Sequence, residues 1–293
     1  MPLTLAAEFL MLAALWGASF LFARLAVADF GPLPTAAMRC AIGAAMLLPV
    51  VVVRGQVAEL RRHGWVAGWI GVLNAGIPFV LFTFAVQYID TGVTSLLNAT
   101  VPLFGAMVAW VWLKDRPNGS RVLGLALGFS GMALLALRTG MGSASGWALA
   151  AGLLGCFCYA LAGSATRVHL TGVPAMVTAA ASLVGATLVL AIPAWWLAPA
   201  HWPSASSWLA VLGLGVLCTG LAYALFFRII DRIGPARALT VTYIVPVFAV
   251  TYGALFLGER LTSWMLGAGA LVLIGTALSS GFVGLRGRAR QPS

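Results

Sequence analysis

Residues 102–116 read PLFGAMVAWVWLKDR, and residues 246–260 read PVFAVTYGALFLGER. Both stretches begin with Pro-x-Phe and end with arginine, and the spacing between them is 144 residues. Each stretch is apolar until its last few residues, as expected where a membrane-crossing helix reaches the interface. The recurrence predicts that the chain contains an internal repeat.

The repeat extends toward the start of each half. Trp16 and Arg24 match Tyr159 and Arg167, both at a spacing of 143 residues. Single matches are common in an apolar sequence, but a series with nearly constant spacing is not. The predicted division is a first repeat over 1–139, a second repeat over 140–283 and a cytoplasmic basic tail over 284–293.

The composition indicates an all-α polytopic membrane protein. Hydrophobic residues make up 61% of the chain and charged residues only 8%, whereas soluble proteins carry about 25% charged residues. This excludes an ordinary soluble enzyme, a nucleic-acid-binding protein and a disordered chain. The long apolar runs also exclude an outer-membrane barrel, whose strands alternate apolar and polar residues.

Charges, prolines and glycine clusters divide the apolar sequence into ten predicted transmembrane helices. Each repeat then holds five helices, and because five is odd, the second repeat enters the membrane with inverted topology. The expected fold is therefore two inverted-topology five-helix repeats. The predicted spans are 5–27, 33–53, 65–88, 93–113, 120–138, 146–166, 174–197, 206–228, 237–257 and 263–283.

The basic residues predict the orientation. With a cytoplasmic N-terminus, 13 of the 17 basic residues fall on the cytoplasmic side. The positive-inside rule therefore places both termini in the cytoplasm. The same rule explains the net charge of +10, so this charge does not indicate a nucleic-acid partner. The expected partners are a small-molecule substrate and the lipid bilayer, and the expected state is a monomer or weak dimer.

One segment resembles a known family. Residues 246–262, followed by Gly267 and Gly275, resemble the second-repeat signature of the drug/metabolite transporter superfamily. Residues 15–20, LWGASF, resemble its first-helix pattern. The chain is most similar to the ten-helix EamA-type metabolite exporters, and among them to the exporters of aromatic and other amino acids. In the first repeat, Lys114-Asp115 replaces the Gly-Glu of the signature, which leaves the exact symmetry of these turns open.

The repeat and the resemblance together predict the function. Inverted repeats of secondary transporters meet around a midplane substrate site, and their rocking gives alternating access. The resemblance implies a bacterial inner-membrane exporter of small amphipathic metabolites, with amino acids, aromatic ones among them, as the expected substrates. The alternatives are a proton-coupled drug or cation efflux protein and a non-transporting membrane scaffold.

Polar and aromatic residues deep in the spans are the candidates for substrate contact, because burying them in lipid costs free energy. For each, ordinary helix packing is the alternative. Pro78, Pro102 and Pro246 are candidate hinges or kinks, and Arg39 and Glu8 are candidate cavity-mouth charges or interfacial anchors. The substrate-contact candidates are Trp16, Ser19, Asn74, Phe82, Ser95, Asn98, Tyr159, Tyr223, Thr242 and Tyr243.

The sequence predicts no enzyme, cofactor or metal site. It has no HExxH, P-loop or dinucleotide-binding pattern, and its three histidines lie in loops or at span ends. The four cysteines fall inside apolar runs as small core residues. Near the midplane there is no carboxylate for a proton relay, so obligatory proton coupling is not expected.

Overall fold

A computed structural model describes residues 3–139 and 143–280. These residues form ten apolar helical segments, with no strand among them. Residues 281–293, which include the predicted end of the tenth span and the basic tail, lie outside the described residues. The segments are α1 (Leu3–Phe30), α2 (Pro32–Val53), α3 (Val57–Tyr88), α4 (Thr91–Leu113), α5 (Gly119–Thr139), α6 (Ser143–His169), α7 (Ala175–Trp196), α8 (Ala205–Ile233), α9 (Leu239–Leu257) and α10 (Ser263–Ser279).

The outer surface of the bundle is apolar. Leu188 and Ile192 on α7 are 69% and 62% exposed, and Leu255 on α9 is 72% exposed. Water would penalise these faces, whereas lipid does not. A helix satisfies its backbone hydrogen bonds internally, so it can face hydrocarbon. The chain is therefore a multi-pass membrane protein.

Helices α1–α5 and α6–α10 form the two repeats of inverted topology. The turns that end α4 and α9 are equivalent in detail. Lys114 and Gly258 both adopt left-handed backbone conformations, with φ of 60° and 68°. The next amides, of Asp115 and Glu259, donate to the carbonyl six residues earlier at 3.2 and 3.1 Å. Replacing Gly-Glu by Lys-Asp therefore leaves the backbone of this turn unchanged.

Helices α4 and α9 are interrupted at matching positions. The α-helix of α4 stops at Ala99–Thr100 and resumes at Val101, and that of α9 begins at Val245 after a 3-10 segment, Leu239–Tyr243. Pro102 and Pro246 each stand at the start of the resumed helix. The first turn of a helix tolerates proline because its amides have no intrahelical acceptor.

Helices α3 and α8 each contain a π-helical segment. These segments are Val72–Gly76 and Gly213–Leu221, and a shift of 144 residues carries the first into the second. Pro78 follows the first segment after one residue. Single π-helical turns in α-helices often mark functional positions.

Glycines allow close helix contacts next to these segments. A Cβ at Gly71 of α3 would overlap the backbone of Ser182 on α7. A Cβ at Gly215 of α8 would overlap the side chain of Ile42 on α2. Small residues of this kind let membrane helices approach closely and gain van der Waals contact. The α3–α7 and α8–α2 crossings are thus equivalent in the two repeats.

Helices α5 and α10 pair through another set of glycines. Gly124 and Gly131 of α5 face α10, and Gly275 of α10 faces α5. A Cβ at Gly275 would lie 2.6 Å from the Gly124 carbonyl oxygen and would also overlap the Gly128 backbone. Backbone atoms cannot yield as a flexible side chain does, so this crossing requires glycine.

The substitution Gly275→Ala is therefore expected to destabilise the fold. Overpacking of a tight contact costs about 1–3 kcal/mol, so the melting temperature of the purified protein should fall. Gly267→Ala is the matched control on the same helix, because no atom lies within 4 Å of its added Cβ. Equal melting temperatures for the two variants would contradict the proposed packing.

Candidate functional site

Arg39 lies between helices of both repeats. Its Nε donates to the Thr219 hydroxyl of α8 at 3.0 Å, and its guanidinium carbon lies 3.8 Å from the centroid of the Phe79 ring of α3. The sequence places Arg39 at a cavity mouth. In the structure its side chain contacts α3 and α8 inside the bundle.

Two tyrosines lie near this arginine. Tyr159 of α6 and Tyr223 of α8 both lie within electrostatic range of Arg39. The Phe82 ring stacks on Tyr159 with centroids 6.0 Å apart, and the Phe227 ring stacks on Tyr223 at 5.8 Å. Stacked pairs of this kind hold aromatic side chains in defined orientations.

Trp16 extends the ring cluster toward α1. Its centroid lies 5.1 Å from that of Phe226, which in turn contacts Phe227 at 6.0 Å. The structure therefore brings together five of the predicted residues. The ring-and-arginine cluster, as we call it here, consists of Trp16, Arg39, Phe79, Phe82, Tyr159, Thr219, Tyr223, Phe226 and Phe227.

The polar groups of the cluster have spare hydrogen-bonding capacity. Among the described residues, neither tyrosine hydroxyl has a partner, and Arg39 has only Thr219. The fully enclosed polar atoms that lack a partner are Gln56 Oε1, Trp208 Nε1 and Thr262 Oγ1. The tyrosine hydroxyls and the Arg39 Nη atoms are not among these enclosed atoms, so they keep some access to solvent.

The charge of Arg39 makes this access important. An arginine at the bilayer centre costs about 2.5–3.5 kcal/mol on insertion scales, unless water or an anion compensates it. No carboxylate of the described residues lies within ion-pair distance of Arg39. The site thus holds a cation with free donors beside aromatic rings, an arrangement suited to an anionic group on an apolar body.

Three other candidates donate to backbone carbonyls of their own helices. The Ser19 hydroxyl donates to the Trp16 carbonyl at 2.6 Å, and the fully buried Ser95 hydroxyl donates to the Gly92 carbonyl at 2.8 Å. The Thr242 hydroxyl donates within its own turn to a carbonyl at 2.8 Å. In this conformation these three hydroxyl groups support the backbone.

Tyr243 and the two asparagines complete the set. The Tyr243 hydroxyl lies 2.8 Å from the Ser280 hydroxyl, at the contact of α9 with α10. Asn74 lies in the π-helical segment of α3, and Asn98 ends the first part of α4. Both asparagine side chains are half-buried and have no hydrogen-bond partner among the described residues.

Sequence reasoning missed four members of the cluster. Phe226 and Phe227 follow Tyr223 at i+3 and i+4, and Phe79 precedes Phe82 by three residues. These spacings place the rings on shared helix faces, a signal that was available in the sequence. Thr219 offered no such signal, because its contact with Arg39 spans 180 residues.

A carboxylate ties α9 to α4 at the end of the membrane opposite the N-terminus. Glu259 accepts from the Thr91 amide at 2.8 Å, the Thr91 hydroxyl at 2.9 Å and the Gly92 amide at 3.3 Å. These amides open α4, where a carboxylate is favoured by the unpaired N–H groups. A Cβ at Gly253 would overlap the Glu259 carboxylate, so Gly253 provides the space for this contact.

The equivalent carboxylate of the first repeat is engaged differently. Asp115 pairs with Arg121 in its own connection at 3.4 Å. It is one methylene shorter than glutamate, and Ala109 stands where the second repeat has Gly253. Pro235 replaces Thr91 and has no amide hydrogen to donate. The contact of Glu259 therefore has no counterpart in the first repeat.

At the N-terminal face, Glu8 joins α1 to α8 by ion pairs. Its two carboxylate oxygens pair with Arg228 and Arg232 of α8, each at 3.0 Å. The Glu8 side chain is only 16% exposed, so both ion pairs are partly shielded from solvent. Helices α1 and α8 are thus joined at this face by charge. Among the described residues, no group of three or more His, Cys, Asp or Glu could hold a metal ion.

Comparison with known proteins identifies the class. The profile of the EamA-like transporter family matches residues 5–137 and, a second time, residues 146–281. The chain belongs to the EamA-like transporter family of the drug/metabolite transporter superfamily. It is accordingly a membrane transporter and not an enzyme.

Its relatives cover nearly the whole chain. The uncharacterized transporter YoaV of Bacillus subtilis is 23% identical, with 91% of this chain and 93% of YoaV aligned. The uncharacterized inner membrane transporter YedA of Escherichia coli is 28% identical, with 85% and 81% aligned. One solved crystal structure shares the fold, with a TM-score of 0.68, 22% identity and coverage of 95% and 97%.

The Glu259 contact predicts the effect of Glu259→Gln. The variant loses a charged acceptor shared by three donors, and a hydrogen bond to a charged group contributes about 1.5–3 kcal/mol. The free energy of unfolding should fall by about 2 kcal/mol, measured as a lower melting temperature in detergent. Glu59→Gln is the control, because within the described part of the chain the carboxylate of Glu59 pairs with His63 alone, at 3.4 Å. A melting temperature unchanged from wild type would remove Glu259 from this role.

Proposed function

We propose that this chain is a secondary transporter of the bacterial inner membrane that exports small amphipathic metabolites by alternating access. The proposed substrates are amino acids, aromatic ones among them. The observation that carries the proposal is the ring-and-arginine cluster, because α1, α2 and α3 of one repeat and α6 and α8 of the other contribute to it. A site shared by two inverted repeats changes its exposure when the repeats rock.

The residues have separate roles in this proposal. Trp16, Phe82, Tyr159 and Tyr223 contact the apolar part of the substrate through their ring faces. Asn74 and Asn98, whose amides have no partner among the described residues, bind its polar ends together with other polar candidates. Those further candidates are Ser19, Ser95, Thr242 and Tyr243, whose hydroxyls become available when the helices move.

The movement is proposed to use the interrupted helices. Pro102 and Pro246 start the second parts of α4 and α9, and Pro78 follows the π-helical segment of α3. Residues 91–97 of α4 are all buried, whereas only Val241 is buried in Leu239–Tyr243 of α9. This difference favours a state that is more tightly closed on the face of Glu259 than on the N-terminal face.

The orientation follows from charge. The positive-inside rule assigns the N-terminal face, with Arg228 and Arg232, to the cytoplasm. Both termini are then cytoplasmic, and the proposed location agrees with that of the relative YedA, an inner membrane transporter. The proposed direction, outward, rests on the resemblance to exporters. The proposed working unit is a monomer or weak dimer.

We further propose that transport follows the substrate's own gradient. A proton-coupled carrier needs a carboxylate or similar group that titrates beside the substrate. Glu8 is already paired with two arginines, and Glu259 with three donors. Neither contacts the cluster in a described hydrogen bond or ion pair.

Transport itself is tested in proteoliposomes with a labelled amino-acid panel. Saturable uptake of aromatic amino acids, competed by related ones, is expected. Imposing a pH gradient should change the initial rate by less than about twofold, because no proton relay is available. A rate that rises about tenfold with the gradient would contradict gradient-driven transport. Absence of uptake above empty liposomes would contradict the proposed substrates.

The role of Trp16 is tested by Trp16→Ala. Loss of its ring contacts with the substrate should lower uptake about tenfold, equivalent to about 1.4 kcal/mol, without lowering the yield of folded protein. Trp147→Ala is the matched control, because Trp147 is 71% exposed at the start of α6. Unchanged uptake by the Trp16 variant would exclude Trp16 from the site.

A further inference from the structure

We infer that the group recognised by this site is the substrate's carboxylate, bound by Arg39, and that an amino group is not required. The substrate class is then apolar monocarboxylates with an aromatic body, of which amino acids are one subset. This inference rests on the proposed function, since it names the feature of the substrate that the ring-and-arginine cluster selects.

The first argument is the unpaired charge. Arg39 is held inside the bundle by one hydroxyl and one ring, those of Thr219 and Phe79. Arg24, the other arginine well inside α1 or α2, also has no ion pair among the described residues, but it donates to a backbone carbonyl, that of Val86. A cation without an anionic partner in a low-dielectric region gains strongly from binding one. A substrate carboxylate would provide that partner.

The second argument is the geometry of the donors. Thr219 uses the Nε–H of Arg39 and Phe79 covers one face of the guanidinium. The Nη donors remain, and together they form an edge that matches a carboxylate. The hydroxyls of Tyr159 and Tyr223, within electrostatic range of Arg39, add two more free donors. The polar side of the cluster therefore offers donors rather than charged acceptors.

The third argument is the lack of a site for ammonium. No carboxylate of the described residues forms part of the cluster. An ammonium group beside Arg39 would meet a like charge, and an aromatic ring face attracts it less strongly than a carboxylate would. A primary amine without a carboxylate should therefore bind poorly, which disfavours efflux of organic cations.

The fold itself does not require this charge. A shift of 143 residues carries Arg39 onto Ser182, which lies in the equivalent position of the second repeat. The Ser182 hydroxyl donates to the Ala67 carbonyl at 3.2 Å. A neutral side chain thus occupies this position in the second repeat. The two repeats therefore share the helix crossing but not the arginine, as expected if Arg39 serves the ligand rather than the scaffold.

The test uses three ligands with the same phenylethyl body: 3-phenylpropionate, phenylalanine and 2-phenylethylamine. Each competes with labelled phenylalanine for uptake into proteoliposomes, and each is tested for thermal stabilisation of the purified protein. The two carboxylates should compete within about threefold of one another, and the amine at least about tenfold more weakly. The same order is expected for thermal stabilisation.

Variants assign this discrimination to Arg39. In Arg39→Gln the tenfold preference for carboxylates should fall below about threefold, whereas Arg39→Lys, which keeps the charge but loses the edge of two Nη donors, should retain part of it. Arg167→Gln, at an exposed position near the end of α6, should behave as wild type. If Arg39→Gln does not fold, the ligand order in wild type and in Arg39→Lys still decides the question.

The outcomes separate the inference from the proposed function. Uptake of phenylalanine with equal or better competition by phenylethylamine would overturn the inference and leave transport standing. Carboxylate preference that persists in Arg39→Gln would overturn the assignment to Arg39. Absence of uptake would count against the proposed function, while thermal stabilisation by phenylpropionate but not by phenylethylamine would still support the inference.

Discussion

Backbone hydrogen bonding without water is the constraint on which this structure depends. A continuous helix satisfies it automatically, so every break needs a substitute partner. At the break in α4, the Leu97 carbonyl accepts from the Thr100 hydroxyl at 2.6 Å and the Cys156 thiol at 3.1 Å. The Ala99 carbonyl accepts from Thr276 of α10 at 3.1 Å. The break thus persists because α6 and α10 complete its hydrogen bonds.

The two repeats share their backbone more closely than their charges. The π-helical segments, the interrupted helices and the left-handed turns at Lys114 and Gly258 recur in both. The contacts of Arg39, Glu8 and Glu259 have no counterpart made by the equivalent residues of the other repeat. The repeated backbone features give the two repeats similar helix packing. The unequal charges make the two membrane faces different. A transporter whose two open states face different solutions can use such a difference.

Much of this arrangement could be predicted from the sequence, and the reason is physical. Helix length follows from bilayer thickness, and the repeat follows from constant spacing, so the ten spans needed no tertiary information. The repeat also identified Trp16 and Tyr159 as equivalent aromatic residues, and both belong to the ring-and-arginine cluster. The contact of Arg39 with Thr219 could not be predicted, because it depends on the rotation of α2 and on its close approach to Gly215. Likewise, sequence alone does not show that the Ser95 hydroxyl is fully buried.

Helices α1 and α8 connect the candidate site with both faces of the membrane. At the N-terminal face Glu8 pairs with Arg228 and Arg232, and within the bundle Trp16 contacts Phe226. At the opposite face, the Ser204 amide before α8 donates to Asp29 at 2.8 Å. The π-helical segment of α8 lies between these attachments. Because α8 also carries Thr219 and Tyr223, a displacement of α8 that separates the Glu8 ion pairs would also move these two residues relative to Arg39. Under the proposed alternating-access mechanism, opening of the N-terminal face and rearrangement of the candidate site would therefore be coupled through α8.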